Sequence, residues 1–271
     1  DQWIKNILIF LPILTSGQFE KIYSIKGLTG FLVFSLAASF VYICNDLIDY
    51  KSDKNHPTKK NRVIAAKEVS KREAIIIAVI ILTISIILSF HYEVLNIIIL
   101  YYIINIFYNF QFKKIKYFDV LCLSIFYVVR IFYGGLIFDI KISFFLIIFS
   151  FLIFLALALI KRFNEIKKYN KKINVYEIKD SLFLYNILNT IKYASISIFL
   201  FYIFTDTILM HVKNPKILLF AVPVIFYWMH NIINIAKKGL IDDNIIKYTI
   251  LNFKSAFLIT VAFSIMLASQ I

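Results

Sequence analysis

Tyr42-Ile43-Cys44-Asn45-Asp46-Leu47-Ile48-Asp49-Tyr50-Lys51-Ser52-Asp53 closes an apolar run that begins near Lys26. Asp46, Asp49 and Asp53 stand at i, i+3 and i+7, so a helix through this segment carries all three carboxylates on one face. Three like charges on one stripe repel, and at a membrane boundary the arrangement costs more still. A bound divalent cation relieves the repulsion. Hard oxygen donors suit Mg²⁺, which takes one or two carboxylates and fills its other positions with phosphate oxygens and waters. Asp46, Asp49 and Asp53 are therefore the candidate metal ligands. Asn45 beside them is suited to bond a phosphate oxygen or to orient a carboxylate. A merely solvated helix end, its acids paired with nearby lysines, fits poorly with the apolar run that precedes Asn45.

The chain continues His56-Pro57-Thr58-Lys59-Lys60-Asn61-Arg62-Val63-Ile64-Ala65-Ala66. Pro57 opposes continuation of the helix, so a basic loop follows the acids directly. Cations beside a metal–carboxylate cluster suit a diphosphate, with Mg²⁺ bridging some oxygens while Lys59 and Arg62 neutralise others. Lys60, Lys71 and Arg72 read more simply as charges that fix topology.

Outward from this motif the chain is apolar. Of 271 residues, 61% are hydrophobic and the mean hydropathy is +0.80. No soluble domain of this size hides that much apolar surface, so the excess faces lipid. Nine spans are read at 4–18, 26–48, 72–90, 93–110, 117–138, 142–162, 183–205, 215–236 and 249–270, as one transmembrane domain covering 1–271. The first reads as a span rather than a cleavable leader, and a sequence opening on Asp1 is expected to lack its natural start. Of the 30 Lys and Arg, 22 fall at Lys5 and in the connections Lys51–Arg72, Lys113–Lys116, Lys161–Lys179 and Lys237–Lys247. Five fall on the opposite side, and Arg130, Lys192 and Lys254 lie within spans. The positive-inside rule then places the first terminus and the four basic connections in the cytoplasm, so the polar face of an inner (cytoplasmic) membrane protein is expected there. This asymmetry accounts for the net charge of +14, and no nucleic-acid partner is expected. Cys44 and Cys122 lie inside apolar runs and read as packing residues.

Asn45-Asp46-x-x-Asp49-x-x-x-Asp53 resembles the first aspartate-rich motif of the UbiA-type membrane prenyltransferases. The continuation His56-Pro57-x-Lys59-x-x-Arg62-x-Ile64-Ala65-Ala66 resembles the branch of that family containing decaprenyl-phosphate phosphoribosyltransferase, with Val63 and Lys67 where that branch has proline and glycine. Gln2-Trp3-Ile4-Lys5-Asn6, Tyr108-Asn109-Phe110-Gln111-Phe112-Lys113 followed by Asp119, Arg130 with Gly134-Gly135, and Lys161-Arg162-x-x-Glu165 agree with it. The resemblance implies an all-α bundle of about nine transmembrane helices around a cavity open to the cytoplasm and to lipid. It also implies a reaction: polyprenyl phosphate and 5-phosphoribose 1-diphosphate give polyprenyl-phosphoryl 5-phosphoribose and diphosphate, with Mg²⁺ as cofactor. Aromatic prenyltransferases of this fold carry a second acid pair at the second motif. Here Tyr108, Lys113 and the single acid Asp119 stand there, which suits a different phosphorylated donor.

The remaining polar positions complete the expected site. Arg130 lies mid-span, where a guanidinium is costly unless paired, and reads as a phosphate ligand facing the cavity. Lys161 and Arg162 are expected to reach a phosphate, with Glu165 holding them. Asp46, Asp49 and Lys113 are the candidate catalytic residues, and Lys5, Asn45, Lys59, Arg62, Tyr108, Asp119, Arg130, Lys161 and Arg162 the candidate substrate ligands. Lys167, Lys168, Lys171 and Lys172 read as a solvated face or an anionic-lipid contact, and Lys192 and Lys254 as side chains that snorkel to an interface. Asp242-Asp243 lacks the apolar run that precedes Asn45. The rival readings are an isoprenyl transferase acting on an aromatic acceptor and a transporter of a phosphorylated solute. A transporter needs an exit path, whereas these polar residues cluster on one side.

Overall fold

A computed structural model describes residues 3–55, 59–169, 175–210, 212–241 and 245–270. The Lys59 side chain, His56, Pro57, Lys171, Lys172, Asp242 and Asp243 lie outside the described residues. The chain opens with a 3-10 helix, Trp3–Phe10, that runs into α1 (Leu11–Ser16). There follow α2 (Ile25–Lys54), α3 (Lys71–His91), α4 (Leu95–Phe110), α5 (Phe118–Ile137) and α6 (Phe144–Tyr169). The second half comprises α7 (Ser181–Ile203), α8 (Ala221–Lys237), α9 (Ile245–Leu251) and α10 (Phe253–Ala268). Among the described residues, seven helices are long and apolar enough to cross a bilayer, and Trp3–Ser16 and Phe253–Ala268 are shorter apolar segments. The protein is an all-α integral membrane bundle.

Capping chemistry sets several boundaries. The Ser24 hydroxyl accepts the Gly27 N–H and starts α2. Ser70 and Glu73 form a reciprocal capping box at the start of α3, satisfying two of the backbone donors a helix start leaves free. The ninth expected span is interrupted at Asn252, whose side chain accepts the Ser255 N–H and restarts the helix as α10. The second span outruns its expected end by six residues, because charge stops a hydropathy run but not a helix. Thirty residues rise about 45 Å against about 30 Å of hydrocarbon. Counted from Ile25, the apolar thickness is used up near Asn45, so the acids emerge where the helix leaves the lipid.

Sequence neighbours pack as spatial neighbours: α2 on α3, α4 on α5, α5 on α6, α6 on α7, and α8 on α6, α7 and α10. α3 turns Ile75, Ile76, Val79, Ile80 and Ile87 outward, as a lipid-facing helix does. Two large buried clusters form most of the interior, with a small third around Ile203, Ile208, Val212 and Leu218. One joins α5–α8 around Leu157, Phe163, Leu184 and Ile232, and the other joins the N-terminal segment, α2, α4 and α5 around Ile9, Phe34, Tyr101 and Tyr133.

Gly134 makes the second cluster possible. A Cβ there would fall on the backbone carbonyl of Ile9, so α5 and the N-terminal segment touch main chain to side-chain-free surface. At Gly135 a Cβ would meet chiefly the flexible end of Ile142. Gly134→Ala is therefore expected to cost about 1–3 kcal/mol, and Gly135→Ala less. Thermal unfolding in detergent compares the two, and equal melting temperatures would contradict this packing.

Candidate active site

The end of α2, the 59–69 loop, the α4–α5 corner and the C-terminal part of α6 carry the expected site residues. Asp46 and Asp49 are each 30% exposed at the side chain, while Asp53 is 3% exposed. Arg62 reaches back from the loop, and its Nη1 donates to Asp46 Oδ1 at 2.9 Å and to Asp53 Oδ2 at 2.8 Å. Asp49 instead faces the α4–α5 corner, where Lys113 Nζ donates to its Oδ1 at 2.7 Å. The stripe thus divides into a pair and a single acid, and no three acids among the described residues are gathered about one point. The sequence expectation treated Asp53 as the third member. The geometry makes it the partner of Asp46, because both turn to the same guanidinium nitrogen. Asn45 Oδ1 accepts a short hydrogen bond from Asn109 Nδ2.

Asp46 and Asp53 suit a divalent cation. One cationic atom, Arg62 Nη1, already stands within 3 Å of an oxygen from each, and two hard carboxylate donors with room for phosphate oxygens are what Mg²⁺ takes.

The loop is held by Ile64 and Ala65, both buried, and by a turn in which Ala66 N donates to Arg62 O. Lys67 has φ of +64°, a left-handed conformation that glycine adopts without steric cost. This position is the one where the resembling branch has glycine, so the backbone shape accounts for that preference.

A second polar group lies behind Lys113. Asp119 is 1% exposed at the side chain. Its Oδ2 accepts from Arg162 Nε at 2.9 Å and its Oδ1 from the Tyr176 hydroxyl at 2.6 Å. Burial pushes the Tyr176 phenol up, and its bond to Asp119 pushes it further, so the phenol stays protonated and donating. Arg162 Nη1 also donates to Glu165 Oε2 at 3.0 Å, and Lys161 Nζ lies 4.0 Å from Glu165 Oε1. Asp119 and Arg162, expected to touch substrate, neutralise each other here and brace the α5–α6 junction. Tyr108 lies within electrostatic reach of Asp49, Asp119 and Arg162 and packs edge-on against Phe126.

Arg130 is 3% exposed and lies deeper. Its Nε donates to Asn6 Oδ1 at 2.9 Å and its Nη1 to the Phe126 carbonyl at 2.6 Å. Phe34, Tyr101 and Tyr127 present their rings to it at 5.3, 5.6 and 5.9 Å. Among the described residues no acid forms an ion pair with it, and its Nε and Nη1 hydrogen bonds go to an amide and a carbonyl oxygen. Lys5 stands close enough for the two positive charges to act on each other, and its Nζ lies 5.8 Å from the Tyr42 ring centre. Tyr127 stacks at 4.4 Å on Phe154. Phe154 lines an apolar cavity of about 470 Å³ between α1, α6, α7, α8 and α10. The Arg130 surroundings and this apolar cavity are thus linked through the Tyr127–Phe154 stack.

Asn105 and Tyr176 have no part in the sequence reading, and Asn6 and Asn109 enter it only as members of the quoted motifs. Asn105 and Asn109 are four apart in a largely apolar span, and both are buried. That spacing of amides in a membrane helix is itself a sign of an inward polar face. Lys192 departs from its expected snorkelling. It is buried mid-helix, bonded to Asn189 Oδ1 at 3.1 Å and set against the rings of Tyr193 and Phe226. Those partners take up the charge inside the bundle. Lys254 is exposed and lies over the Tyr227 ring at 5.0 Å.

The family model described as "UbiA prenyltransferase family" matches residues 10–266. The chain belongs to the UbiA prenyltransferase family. A UbiA homolog from Archaeoglobus fulgidus bound to GPP and Mg²⁺ superposes with a TM-score of 0.68 at 16% identity, over 98% of this chain and 99% of that one. Among curated UbiA-like relatives, the decaprenyl-phosphate phosphoribosyltransferase of Mycolicibacterium smegmatis is 34% identical over 175 residues, 61% of this chain and 54% of the relative. The nodulation protein NoeC of Azorhizobium caulinodans is 28% identical over 166 residues, 60% of this chain and 54% of the relative. The matched stretch thus spans about half the length of each of these two relatives.

Proposed function

We propose that this protein is a membrane transferase that moves 5-phosphoribose from 5-phosphoribose 1-diphosphate to a polyprenyl phosphate. The observation that carries the reading is Lys113 on Asp49 at 2.7 Å. The second motif brings a cation to the first, while its one acid, Asp119, is spent on Arg162 and Tyr176. A lysine neutralises phosphate but does not hold a second Mg²⁺. The phosphoribosyltransferase named among the relatives supports the same substrate class.

In this reading the bond from ribose C1 to the diphosphate oxygen breaks, and a bond from C1 to a lipid-phosphate oxygen forms. Asp46 and Asp53, with Asp49 beside them, would hold Mg²⁺, which when bound would supply positive charge to the leaving diphosphate. Arg62, Lys59 and Lys113 add to it. Charge grows on that group as C1–O lengthens, so cations already in place favour the transition state over the ground state. The lipid phosphate is an anion already and needs no strong base. Arg130 and Lys5 hold it against the apolar cavity, which takes the first part of the prenyl chain, and Lys161 stands at the cytoplasmic mouth.

Incubating the purified protein with labelled 5-phosphoribose 1-diphosphate and polyprenyl phosphate should give a labelled lipid product. Turnover only of an isoprenyl diphosphate with an aromatic acceptor would move the chain to that rival class. The proposed orientation has its own test. In a chain with Cys44 and Cys122 replaced by Ser, Lys168→Cys should react with an impermeant thiol reagent only from the cytoplasmic side. Labelling from outside reverses the topology.

A further inference from the structure

The Arg62 guanidinium stands at the point on which two acids converge. A single nitrogen lies 2.9 Å from Asp46 Oδ1 and 2.8 Å from Asp53 Oδ2. Asp53 is nearly closed to solvent, and a carboxylate in that setting depends on a cation being brought to it. The segment that brings it is seated, since Ile64 and Ala65 are buried and Glu68 N donates to Val63 O at 3.0 Å. Lys113 holds the third carboxylate in the same way.

We infer that Arg62 keeps the place of the divalent cation in the substrate-free protein, so that metal and diphosphate load together rather than metal first. The inference rests on the proposed metal–diphosphate site but not on which donor carries the diphosphate. A metal ion at about 2.0–2.1 Å from the same oxygens excludes the guanidinium from them. Without an anion, the displaced Arg62 gives up two charge-assisted bonds. With a diphosphate present it regains them, because a guanidinium fork matches phosphate oxygens. The coupling is reciprocal, so metal and diphosphate each raise the affinity for the other.

The test needs no turnover. Mn²⁺ binding to the full chain in nanodiscs is measured by calorimetry without substrate, for wild type, Arg62→Gln and Lys60→Gln. Arg62→Gln should bind Mn²⁺ at least about tenfold more tightly than wild type. Lys60→Gln removes the same charge from the same loop and should change Kd less than about twofold. Should Arg62→Gln fail to fold, the wild type decides alone. Preformed Mn²⁺–diphosphate should bind it at least about tenfold more tightly than Mn²⁺ by itself. An unchanged or weaker Kd in Arg62→Gln, equal tightening in Lys60→Gln, or tight Mn²⁺ binding by wild type without diphosphate overturns the inference while leaving the metal site standing. Absence of Mn²⁺ binding in every arm removes the metal site and the proposed reaction with it.

Discussion

Asp46→Asn is expected to lower turnover by about a hundred- to a thousandfold, with the protein still inserting and melting near the wild-type temperature. Asp46 shares Arg62 with Asp53 and is the more open of the two, so it is the acid a metal–diphosphate complex meets first. The amide keeps the side chain's shape but removes the charge that would hold the cation. Asp49→Asn should act by a different route, since it releases Lys113 as well as a carboxylate. Both losses are read as diphosphate release in nanodiscs, and EDTA should reduce wild type to the same level. Full activity in EDTA would remove the metal from the mechanism.

The second expected result separates the two substrates. Lys113→Ala should raise the KM for 5-phosphoribose 1-diphosphate about ten- to a hundredfold, the equivalent of one charge-assisted hydrogen bond of about 1.5–3 kcal/mol. The KM for the lipid phosphate should scarcely change, because Lys113 stands on Asp49 at the α4–α5 corner while Arg130 lies buried within α5. Steady-state kinetics varying each substrate in turn reads the difference. A variant impaired only toward the lipid phosphate would exchange the two subsites.

Hydropathy and helical spacing made the bundle legible. The spans read at 72–90, 93–110 and 117–138 correspond to α3, α4 and α5 within a few residues, because lipid demands unbroken apolar length there. The ends in water were not legible in the same way. α2 runs on to Lys54 and α6 to Tyr169, since backbone hydrogen bonding continues where hydrophobicity stops. The break at Asn252 was hidden inside a uniformly apolar stretch. For the site, residue types and their face could be read, but not their pairings. Asn45 with Asn109 and Asp49 with Lys113 each join residues 64 positions apart, and only the packing of α4 against α2 decides them. Asp119 and Arg162 show the same limit. Their charges suggested substrate ligands, and the fold turned them toward each other.

The bond between Asn6 and Arg130 joins residues 124 positions apart, and the Ile9 main chain beside Gly134 spans a similar interval. Contacts closed over so long a loop form late, because the intervening chain must be ordered before they reward it. During synthesis the N-terminal segment is made before α5 and can pack first on α2, where Asn6 Nδ2 donates to Ser35 Oγ at 3.0 Å, but its contacts with Arg130 and Gly134 wait for α5. The pocket around Arg130 therefore closes only once α5 is in the membrane, although its Asn6 partner is synthesised more than a hundred residues earlier.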